Sequence, residues 1–317
     1  MGEATVVQSG SVVVVGSMNT DLITYVRRAP APGETVIGDR FESGLGGKGA
    51  NQAVMARLLG ARVAFVGALG DDAYAVQTLA NFQRLGIATG GVMRVPGSSG
   101  VAPIWVEADG TNRIIMVPGA NDLVTAGHAA RSIAAAGPID VCIGQFEVPQ
   151  AVTAAAFAAA HAGGATTILN PAPAARILPE LLEHTDWLIL NEVEFEMLSG
   201  FVGEPTDEAL ASFSRGSGVR LIVTLGPRGA ALVGSDGAVT RLPARRVVAV
   251  DTSGAGDAFV GAFAVGLARG WLETDAVRLG IACATESVLR PGTQASFPDP
   301  DAVAAIVADL ENRRAAS

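Results

Sequence analysis

Short runs of apolar residues recur along most of the chain, separated by alanine-rich segments. The first run, residues 12–15, consists of four valines and ends at Gly16. A continuous β-branched run of this length is typical of a parallel strand that is buried on both faces. Five later runs have the same character: residues 63–66, 141–143, 167–169, 187–190 and 221–224.

The segments between these runs have the composition of helices. They are rich in alanine, and they cover residues 49–59, 73–85, 151–162 and 208–214. Strands that alternate with helices over most of a chain indicate a parallel sheet whose connections cross over its faces. The pattern therefore predicts an α/β fold with a mostly parallel central sheet and helices on both faces.

Two segments interrupt this alternation. Residues 21–43 contain Pro30, Pro32 and Gly33, and residues 101–117 alternate apolar and polar positions around the turn at Asp109 and Gly110. Neither segment has room for a crossover helix, so we expect antiparallel ribbons that form one small sheet beside the main one. Strands with no covering helix need a ligand or a partner subunit on one face.

Composition narrows the class of protein. The 317-residue chain is 49% apolar, which excludes a disordered protein, and it has a net charge of −9. Its basic residues are scattered, so we expect no nucleic-acid partner and no anionic-membrane partner. A nucleotide remains possible because phosphate groups bind to local backbone N–H groups.

The remaining composition favours a cytoplasmic protein. Cys142 and Cys283 lie in apolar stretches without metal-binding spacing, which predicts buried free thiols in a reducing compartment. Residues 1–10 contain no basic run before an apolar stretch, so the sequence predicts no signal peptide. The run at residues 12–15 is too short to span a membrane.

A first glycine cluster occupies residues 44–49. It matches the dinucleotide pattern G-x-G-x-x-G, but it follows a ribbon segment rather than the first buried strand, which disfavours a nicotinamide site. A P-loop is excluded because Gly49 follows Lys48 where Ser or Thr is needed. The alternative is a polyol site, with a ligand close to Gly46 and Gly47 and donors from Lys48 and Asn51 on one helix face. A surface lysine beside a ligand-free turn explains the cluster equally well.

A second cluster, residues 251–257, leads from a predicted strand at residues 246–250 into a predicted helix. Gly254 and Gly256 allow the backbone to form a concavity at the helix start, where unpaired N–H groups bind anions. Asp257 beside such a site is suited to take a proton from a hydroxyl that attacks a phosphoryl group. Asp257 as a helix N-cap and a sharp strand-to-helix turn are the plainer interpretations, and they are compatible with that function.

Three further groups follow predicted strands. Asn191 and Glu194 could hold Mg²⁺ through its water molecules, although an acidic helix start explains them better when they are taken alone. Residues 224–229 could border a nucleotide or form a turn. Glu147 could accept hydrogen bonds from a sugar or be an ordinary loop acid. The three histidines, His128, His161 and His184, show no ligand or triad spacing.

Taken together, these motifs resemble the ribokinase (PfkB-type) sugar kinases over nearly the whole chain. The two signatures are GGKGANQA at 46–53 and DTSGAGD at 251–257, with Asn191, Glu194 and residues 224–226 in order between them. The segments GSMNTD at 16–21, PGET at 32–35 and NPAP at 170–173 resemble the ribokinase branch of the family.

The resemblance implies roles for individual residues. Asp257 would be the catalytic base, and Gly254, Ala255 and Gly256 would form an anion hole. The sugar would be contacted by Asn19, Asp21, Gly46, Gly47, Lys48, Asn51, Glu147 and Asp257. ATP would be contacted by Asn191, Thr224, Gly226 and Gly229, and Mg²⁺ would be influenced indirectly by Asn191 and Glu194. A monovalent cation, usually K⁺, would be held mostly by carbonyl groups in two loops at Asp251, Ser253, Ser287, Arg290, Gly292 and Ser296.

The resemblance also implies an architecture and a reaction. A large α/β domain (residues 1–20, 44–96 and 119–317) would carry a small β-lid (residues 21–43 and 97–118), and two lids would pack together in a homodimer. The expected reaction is transfer of the ATP γ-phosphoryl group to the primary hydroxyl of D-ribose. Deoxyribose, a ketose, a sugar acid or a nucleoside are alternative acceptors. A nucleoside is disfavoured because the lid offers few aromatics: Tyr25, Phe41 and Trp105. A nicotinamide enzyme and a non-catalytic sugar-binding regulator are more distant alternatives.

Overall fold

The computed structural model describes residues 10–316. Most of the segment on which the absence of a signal peptide was predicted, residues 1–9, lies outside the described residues, as do the first nine residues of the predicted large domain. Within the described part of the chain, no helix is long and apolar enough to cross a membrane. Cys142 and Cys283 are buried and free, as predicted.

The six predicted buried strands and the four predicted alanine-rich helices all occur, in the predicted order, together with further elements that the pattern did not predict. The strands are β1 (Ser11–Val15), β2 (Asn19–Tyr25), β3 (Arg40–Gly46), β4 (Arg62–Leu69), β5 (Ala88–Arg94), β6 (Gly100–Val106), β7 (Asn112–Ile114), β8 (Val141–Gln145), β9 (Thr166–Asn170), β10 (Trp187–Asn191), β11 (Arg220–Thr224), β12 (Ala230–Val233) and β13 (Val239–Leu242). The helices are α1 (Lys48–Leu58), α2 (Ala73–Leu85), α3 (Ala126–Ala135), α4 (Gln150–Ala162), α5 (Pro179–Leu182), α6 (Glu192–Ser199), α7 (Asp207–Ser217), α8 (Ala255–Ala268), α9 (Glu273–Ser287) and α10 (Pro300–Ala316).

Nine strands form one large sheet in the order β13-β12-β11-β10-β9-β8-β1-β4-β5. The seven strands from β11 to β5 in this order all pair in parallel with their neighbours. The remaining two strands, β12 and β13, are added in antiparallel fashion at one edge. The predicted fold class, a mostly parallel sheet with helices on both faces, is therefore confirmed.

The valine run of β1 shows how one strand serves two cores. Because successive side chains of a strand point to opposite faces, Val12 and Val14 pack in one core and Val13 and Val15 in the other. The first core contains residues from α1, α2, α8, α9 and α10, and the second contains residues from α3 to α7. Burial on both faces is the physical reason why the strand sequence is continuously apolar.

The two segments that interrupt the alternation form the predicted small sheet, in the order β3-β2-β6-β7. The pairs β2–β3 and β6–β7 are antiparallel hairpins, and β2 and β6 join them in parallel. Only residues 16–18 separate β1 from β2, so the small sheet begins directly at the carboxyl edge of the large one. The limits of the two domains stay a prediction.

The predicted strand at residues 246–250 is wrong. After β13 ends at Leu242, the chain makes no further strand before α8, and the side chains of Val248 and Val250 are 89% and 65% exposed. β13 already lies at the edge of the sheet, so the β-branched residues that follow it have no neighbouring strand. The Val250 N–H instead bonds to the Val288 carbonyl, 2.8 Å away, which ties the start of the second glycine cluster to the end of α9.

Candidate active site

Polar side chains gather where the parallel strands end. Gln145, Asn170 and Asn191 are the last residues of β8, β9 and β10, and Asn19 opens β2 just beyond β1. Because parallel strands bring their carboxyl ends to one edge of a sheet, these residues lie on the side where open α/β sheets bind ligands. The first helix, α1, and the eighth, α8, both start at this edge.

The first glycine cluster packs closely against the turn between β1 and β2. A Cβ atom on Gly47 would lie 2.7 Å from the Asn19 nitrogen, and one on Gly49 would lie 2.6 Å from the Ser17 nitrogen. Gly47 also has a positive φ of 89°, which favours glycine. A Cβ on Gly46 would lie 2.5 Å from the Asp21 carboxylate. These glycines therefore bring α1 against the polar end of β1, and packing alone accounts for Gly49.

Glu147 joins the loop after β8 to both neighbouring elements. Its Oε2 accepts hydrogen bonds from the Ser17 Oγ at 2.5 Å, the Lys48 backbone N–H at 3.0 Å and the Asn19 Nδ2 at 3.3 Å. The residue is partly buried and has a defined set of partners, which an ordinary loop acid does not need. The bonds bring Asn19, Lys48 and Glu147, three of the residues expected to contact a sugar, to one place.

Asp257 is 7% exposed and lies in the first turn of α8. The N-cap of this helix is Gly254, so the alternative role of Asp257 as an N-cap is wrong. Its two carboxylate oxygens accept instead from the Asn51 Nδ2 and the Gln52 Nε2, each at 2.9 Å. Both donors lie on α1, so the two glycine clusters meet at the proposed base.

Further amides support these two donors. The Gln52 Oε1 accepts from the Gln145 Nε2 at 2.6 Å, and the Gln52 Nε2 also lies 3.2 Å from the Asn170 Oδ1. On the other side, the Gln294 Nε2 donates to the Asn51 Oδ1 at 3.1 Å. Asp257 is thus held by a network of side-chain amides that comes from strand ends, from α1 and from a loop near the C-terminus.

Four carboxylates and one ammonium group share this region. Burial, together with the charges of Glu147 and Asp257, raises the pKa of Asp21 to about 7. Burial also raises the pKa of Asp257, against the opposing effects of the Lys48 charge and the two amide donors. For Lys48, burial acts to lower the pKa, but the charges of Asp257, Glu147 and Glu194 outweigh it and raise the pKa. Lys48 is therefore charged and surrounded by acids, which excludes its interpretation as a solvated surface lysine.

The expected anion hole lies at the start of α8. Gly254 adopts the left-handed conformation with φ of 75°, which turns the chain into the helix. A Cβ on Gly256 would meet nothing within 4 Å, so the space beside its backbone is open. The Ala255 N–H lies 3.3 Å from the Thr252 carbonyl. Helix-start N–H groups next to open space are suited to an oxyanion.

The expected nucleotide residues lie on two neighbouring strand ends. Asn191 and Thr224 are direct register partners in β10 and β11, and Gly226 and Gly229 shape the turn into β12. Packing alone requires glycine at position 229, because a Cβ there would lie 2.0 Å from the Leu242 carbonyl oxygen. Arg228, between the two glycines, forms ion pairs with Glu192 and Glu204.

Asn191 and Glu194 form a capping box at the start of α6. The Asn191 Oδ1 accepts the Glu194 N–H at 2.8 Å, and the Glu194 Oε2 accepts the Asn191 N–H at 2.9 Å. The plainer structural interpretation is therefore correct for both residues. Burial raises the pKa of Glu194 and the Asp257 charge adds to the shift, while the Asn191 N–H and the Lys48 charge oppose it, so this carboxylate interacts with the same group of charges.

The two loops expected to hold a monovalent cation are joined by Asp251. Its carboxylate accepts from the backbone N–H groups of Ser253, at 2.9 Å, and Gly292, at 2.8 Å. Although burial acts to raise the pKa of Asp251, these donors lower it. Ser287 and Ser296 are fully buried nearby, and the Arg290 guanidinium donates to the Ser296 carbonyl at 3.3 Å. The structure thus brings the two loops together, while part of the Ser296 carbonyl is used by Arg290.

Several residues of the site were not found from the sequence. They donate to or accept from the expected residues: Ser17, Gln52, Asn121, Gln145, Asn170 and Gln294. Gln52 lies inside the first signature, one position after Asn51, and its place on α1 was the one available signal. Ser17 and Asn170 stand in the segments 16–21 and 170–173 that resemble the ribokinase branch, while Asn121, Gln145 and Gln294 stand in stretches without a recognisable pattern.

Comparison with known proteins gives the family. The profile of the pfkB family carbohydrate kinases matches residues 9–300. Ribokinase from Schizosaccharomyces pombe is 36% identical over 91% of this chain and 95% of its own. Deoxyribokinase from Salmonella typhi is 38% identical over 90% of this chain and 95% of its own. The structure of Arabidopsis thaliana ribokinase complexed with ribose and ATP superposes with a TM-score of 0.85 at 30% identity, covering 95% of this chain and 99% of that one.

These matches span both signatures. They leave no place for the nicotinamide alternative, which requires a different use of the first glycine cluster. The chain belongs to the pfkB family of carbohydrate kinases and is a sugar phosphotransferase.

Proposed function

We propose that this enzyme transfers the γ-phosphoryl group of ATP to the primary hydroxyl of D-ribose, giving ribose 5-phosphate and ADP. The observation that carries the proposal is the buried carboxylate of Asp257, held by Asn51 and Gln52 at the start of α8. Ribose as the acceptor is supported by the relatives that are named ribokinase.

The residues around Asp257 suit a small polyol. Asn19, Lys48 and Asn51 offer N–H donors, and Asp21 and Glu147 offer carboxylate acceptors. A hydroxyl group is both donor and acceptor, so alternating groups of this kind can satisfy several hydroxyls of one sugar. Gly46 and Gly47 would let the sugar approach the backbone closely.

The reaction needs one proton transfer and one exchange of bonds to phosphorus. Asp257 takes the proton of the primary hydroxyl while the oxygen of that hydroxyl forms a bond to the γ-phosphorus. The bond between the γ-phosphorus and the β,γ-bridging oxygen breaks, and ADP is released. The backbone at Gly254, Ala255 and Gly256 would stabilise charge on the phosphoryl oxygens. General-base assistance of this kind contributes about 10²–10⁴-fold to the rate.

The nucleotide would lie along the ends of β10 and β11, bordered by Asn191, Thr224, Gly226 and Gly229. Mg²⁺ fits this arrangement in an indirect way: Glu194 uses one oxygen for the helix start, and the other can bind a water ligand of the ion. Bound there, Mg²⁺ would neutralise charge on the phosphates.

K⁺ fits the pair of loops that Asp251 joins. Asp251 accepts from the backbone N–H groups of Ser253 and Gly292 and so joins the two loops, and carbonyl groups of both, including those at Ser287, Arg290 and Ser296 in the second, would hold the cation. The cation would help to hold the anion-hole loop. Turnover in KCl is expected to exceed turnover in choline chloride of equal ionic strength, and equal turnover would contradict the cation site.

The acceptor is tested by measuring ATP consumption on D-ribose, 2-deoxy-D-ribose, ketoses, sugar acids and nucleosides. We expect the highest kcat/KM on D-ribose. Deoxyribose is the second candidate because the Salmonella relative is a deoxyribokinase. A site that bonds the 2-hydroxyl rejects the sugar that lacks it, by up to about 10⁴-fold. Equal rates on the two pentoses would contradict the choice of ribose but leave the kinase chemistry intact.

The base is tested by Asp257→Asn. We expect kcat to fall by about 10²–10⁴-fold, while ribose binding, measured by calorimetry, stays within about fivefold because the shape is kept. Asp122→Asn, on the exposed surface, is the control. A variant that keeps wild-type kcat would remove Asp257 from its role. Binding without turnover in the wild type would favour the regulator alternative.

The assembly is proposed to be a homodimer formed through the small sheet, with a second copy of this chain as the partner. On the face of this sheet opposite to Asp21, Phe41 is 63% exposed and lies in register with Thr24 and Trp105. Burial of such a surface against its own copy would stabilise the lid. A cytoplasmic location stays a prediction, based on the use of ATP and on the free thiols.

A further inference from the structure

Connections between the two sheets meet at one buried residue, Asn121. The chain leaves β1 through residues 16–18, enters β6 through residues 95–99, and returns from the small sheet through residues 115–121. Asn121 lies in the short 3-10 helix Gly119–Leu123 and is 1% exposed. The Ala120 N–H bonds to the Ser98 carbonyl at 2.9 Å, so the returning segment rests on the entering one.

The orientation of the Asn121 amide is set by the backbone. Its Oδ1 accepts the Met18 N–H at 3.0 Å, and its Nδ2 lies 3.3 Å from the Met18 carbonyl oxygen. A backbone N–H can only donate and a carbonyl can only accept, so the amide cannot be turned over. This assignment needs no choice between oxygen and nitrogen on other grounds.

The Asn121 amide in turn fixes the orientation of the Asn19 amide. The Asn121 Nδ2 donates to the Asn19 Oδ1 at 2.7 Å, so the oxygen of Asn19 is turned toward Asn121. The Asn19 Nδ2 consequently points to the Glu147 Oε2 and to the lid residue Met116, whose sulfur lies 3.3 Å away. Gly100 leaves room for the pair, because a Cβ there would lie 2.1 Å from the Asn19 oxygen.

We propose that Asn121 is a positioning residue of the sugar site: through its bond to the Asn19 Oδ1 it keeps the Asn19 N–H groups on the side of Glu147, where the sugar is proposed to bind. The inference rests on the proposed function, because Asn19 is taken as a sugar contact. Asn121 itself does not touch the substrate. Without its donor, the Asn19 amide can turn over and present its oxygen to the Glu147 carboxylate, which replaces a donor in the site by an acceptor.

The test is a double-variant cycle with Asn19→Ala, Asn121→Asp and both together. Aspartate keeps the shape and still accepts the Met18 N–H, but it cannot donate to Asn19. Binding of D-ribose is measured by calorimetry and turnover by ATP consumption. We expect each single variant to weaken ribose binding about five- to twentyfold, with the KM for ATP within about twofold of wild type. The double variant should bind like Asn19→Ala alone, because the two residues act as one unit.

Ser99→Ala is the matched control for a general loss of order at this junction. Ser99 is 1% exposed, bonds to Asp72 and Gly70 in the same connection, and does not contact Asn19 in the described hydrogen bonds. We expect its ribose binding within about twofold of wild type, and circular dichroism should show that all variants are folded. Multiplying effects in the double variant, an unchanged Asn121→Asp, or an equal loss in Ser99→Ala would overturn the proposal.

Failure of the proposed function has a different outcome. If the wild type binds D-ribose without phosphorylating it, the function is wrong, and the cycle still tests Asn121 through binding. If the wild type instead binds another sugar of the panel, the cycle is measured with that sugar. If it binds none, both proposals are overturned.

Discussion

Asp257 shows how opposing effects set the state of one carboxylate. Burial raises its pKa, while Lys48 and the amides of Asn51 and Gln52 act to lower it. A general base works best when its pKa lies closer to the working pH than that of a free aspartate, and burial supplies this shift. The amide donors keep the carboxylate in place, so the energetic cost of burial does not expel it to water.

Asp21 supports a prediction about stability and pH. Its pKa is about 7 in the folded protein, against about 3.9 in an unfolded chain. Between these values the folded state binds more protons than the unfolded state, so this residue lowers stability as pH rises from about 4 to 7. Asp21→Asn removes this loss. We expect the variant to gain about 1–3 kcal/mol over the wild type at pH 8 relative to pH 5, measured by urea unfolding of the ligand-free protein.

Asp122→Asn serves as the control for this measurement because Asp122 is exposed. Its free energy of unfolding relative to wild type should change little between the two pH values. A gain for Asp21→Asn that is the same at pH 5 and pH 8 would show that Asp21 titrates as an ordinary surface acid.

At the residue scale, the sequence predicted the residues with proposed chemical roles better than it predicted the residues that hold them in place. Asp257 and Asn51 could be found because they stand in glycine-rich signatures at helix starts. Asn121 and Gln145 could not, because a single buried amide leaves no periodic pattern, and its role depends on groups that come from distant segments. Asn191 and Glu194 have a spacing that fits both a capping box and an ion site, and only coordinates could show the capping box.

Among the elements, α1 is held at the site by the absence of side chains at its start. Gly49 lies so close to residues 16 and 17 that a Cβ would be 2.6 Å from the Ser17 nitrogen and 2.8 Å from the Gly16 carbonyl carbon. Both atoms belong to the backbone, so they cannot rotate away. Because α1 carries Asn51 and Gln52, any shift of this helix also moves the donors that hold Asp257.

Gly49→Ala is therefore expected to reduce both stability and activity. Overpacking of this kind costs about 1–3 kcal/mol, and a displaced α1 should lower kcat by about 10- to 100-fold. Thermal unfolding and steady-state kinetics measure the two effects. The matched control is Gly44→Ala in β3, where a Cβ meets nothing within 4 Å and φ is not positive. If both variants behaved like the wild type, the close packing would not position α1.

The element pattern was predictable where packing alone decides it. The buried strands could be predicted from runs such as residues 12–15, because burial on both faces requires continuous apolar residues. The segment after β13 shows the limit: its valines have the β-branched composition of a strand, but strand formation also needs a neighbour with free backbone groups. That information is not local, so residues 246–250 were assigned wrongly.

For the whole molecule, the small sheet is the surface that we propose to bind a second copy of the chain. One face of it carries Phe41, which is 63% exposed, in register with Thr24 and, on the next strand, Trp105. If two copies pack through this face, Phe41→Asp should dissociate the dimer, because a buried unpaired charge costs several kcal/mol. Light scattering should give twice the 32.1 kDa chain mass for the wild type and the chain mass for the variant.

Val76→Asp is the control for that experiment. Val76 is 62% exposed on α2, outside the small sheet, and its replacement should leave the mass unchanged. A wild-type protein with the mass of one chain would contradict the proposed dimer, as would a Phe41→Asp variant that keeps twice the chain mass.

The hydrogen bonds to Asp257 also have a consequence for assembly of the site from separate fragments of the chain. Its two amide partners are 206 and 205 positions away along the chain, and Gln294 reaches Asn51 across 243 positions. A cut in the exposed turn between β12 and β13 would place the base on one fragment and its donors on the other. Neither piece would be a weaker kinase; each would be inert, and phosphorylation would appear only when the fragments reassociate, so sugar phosphate production would serve as a complementation signal for the completed fold.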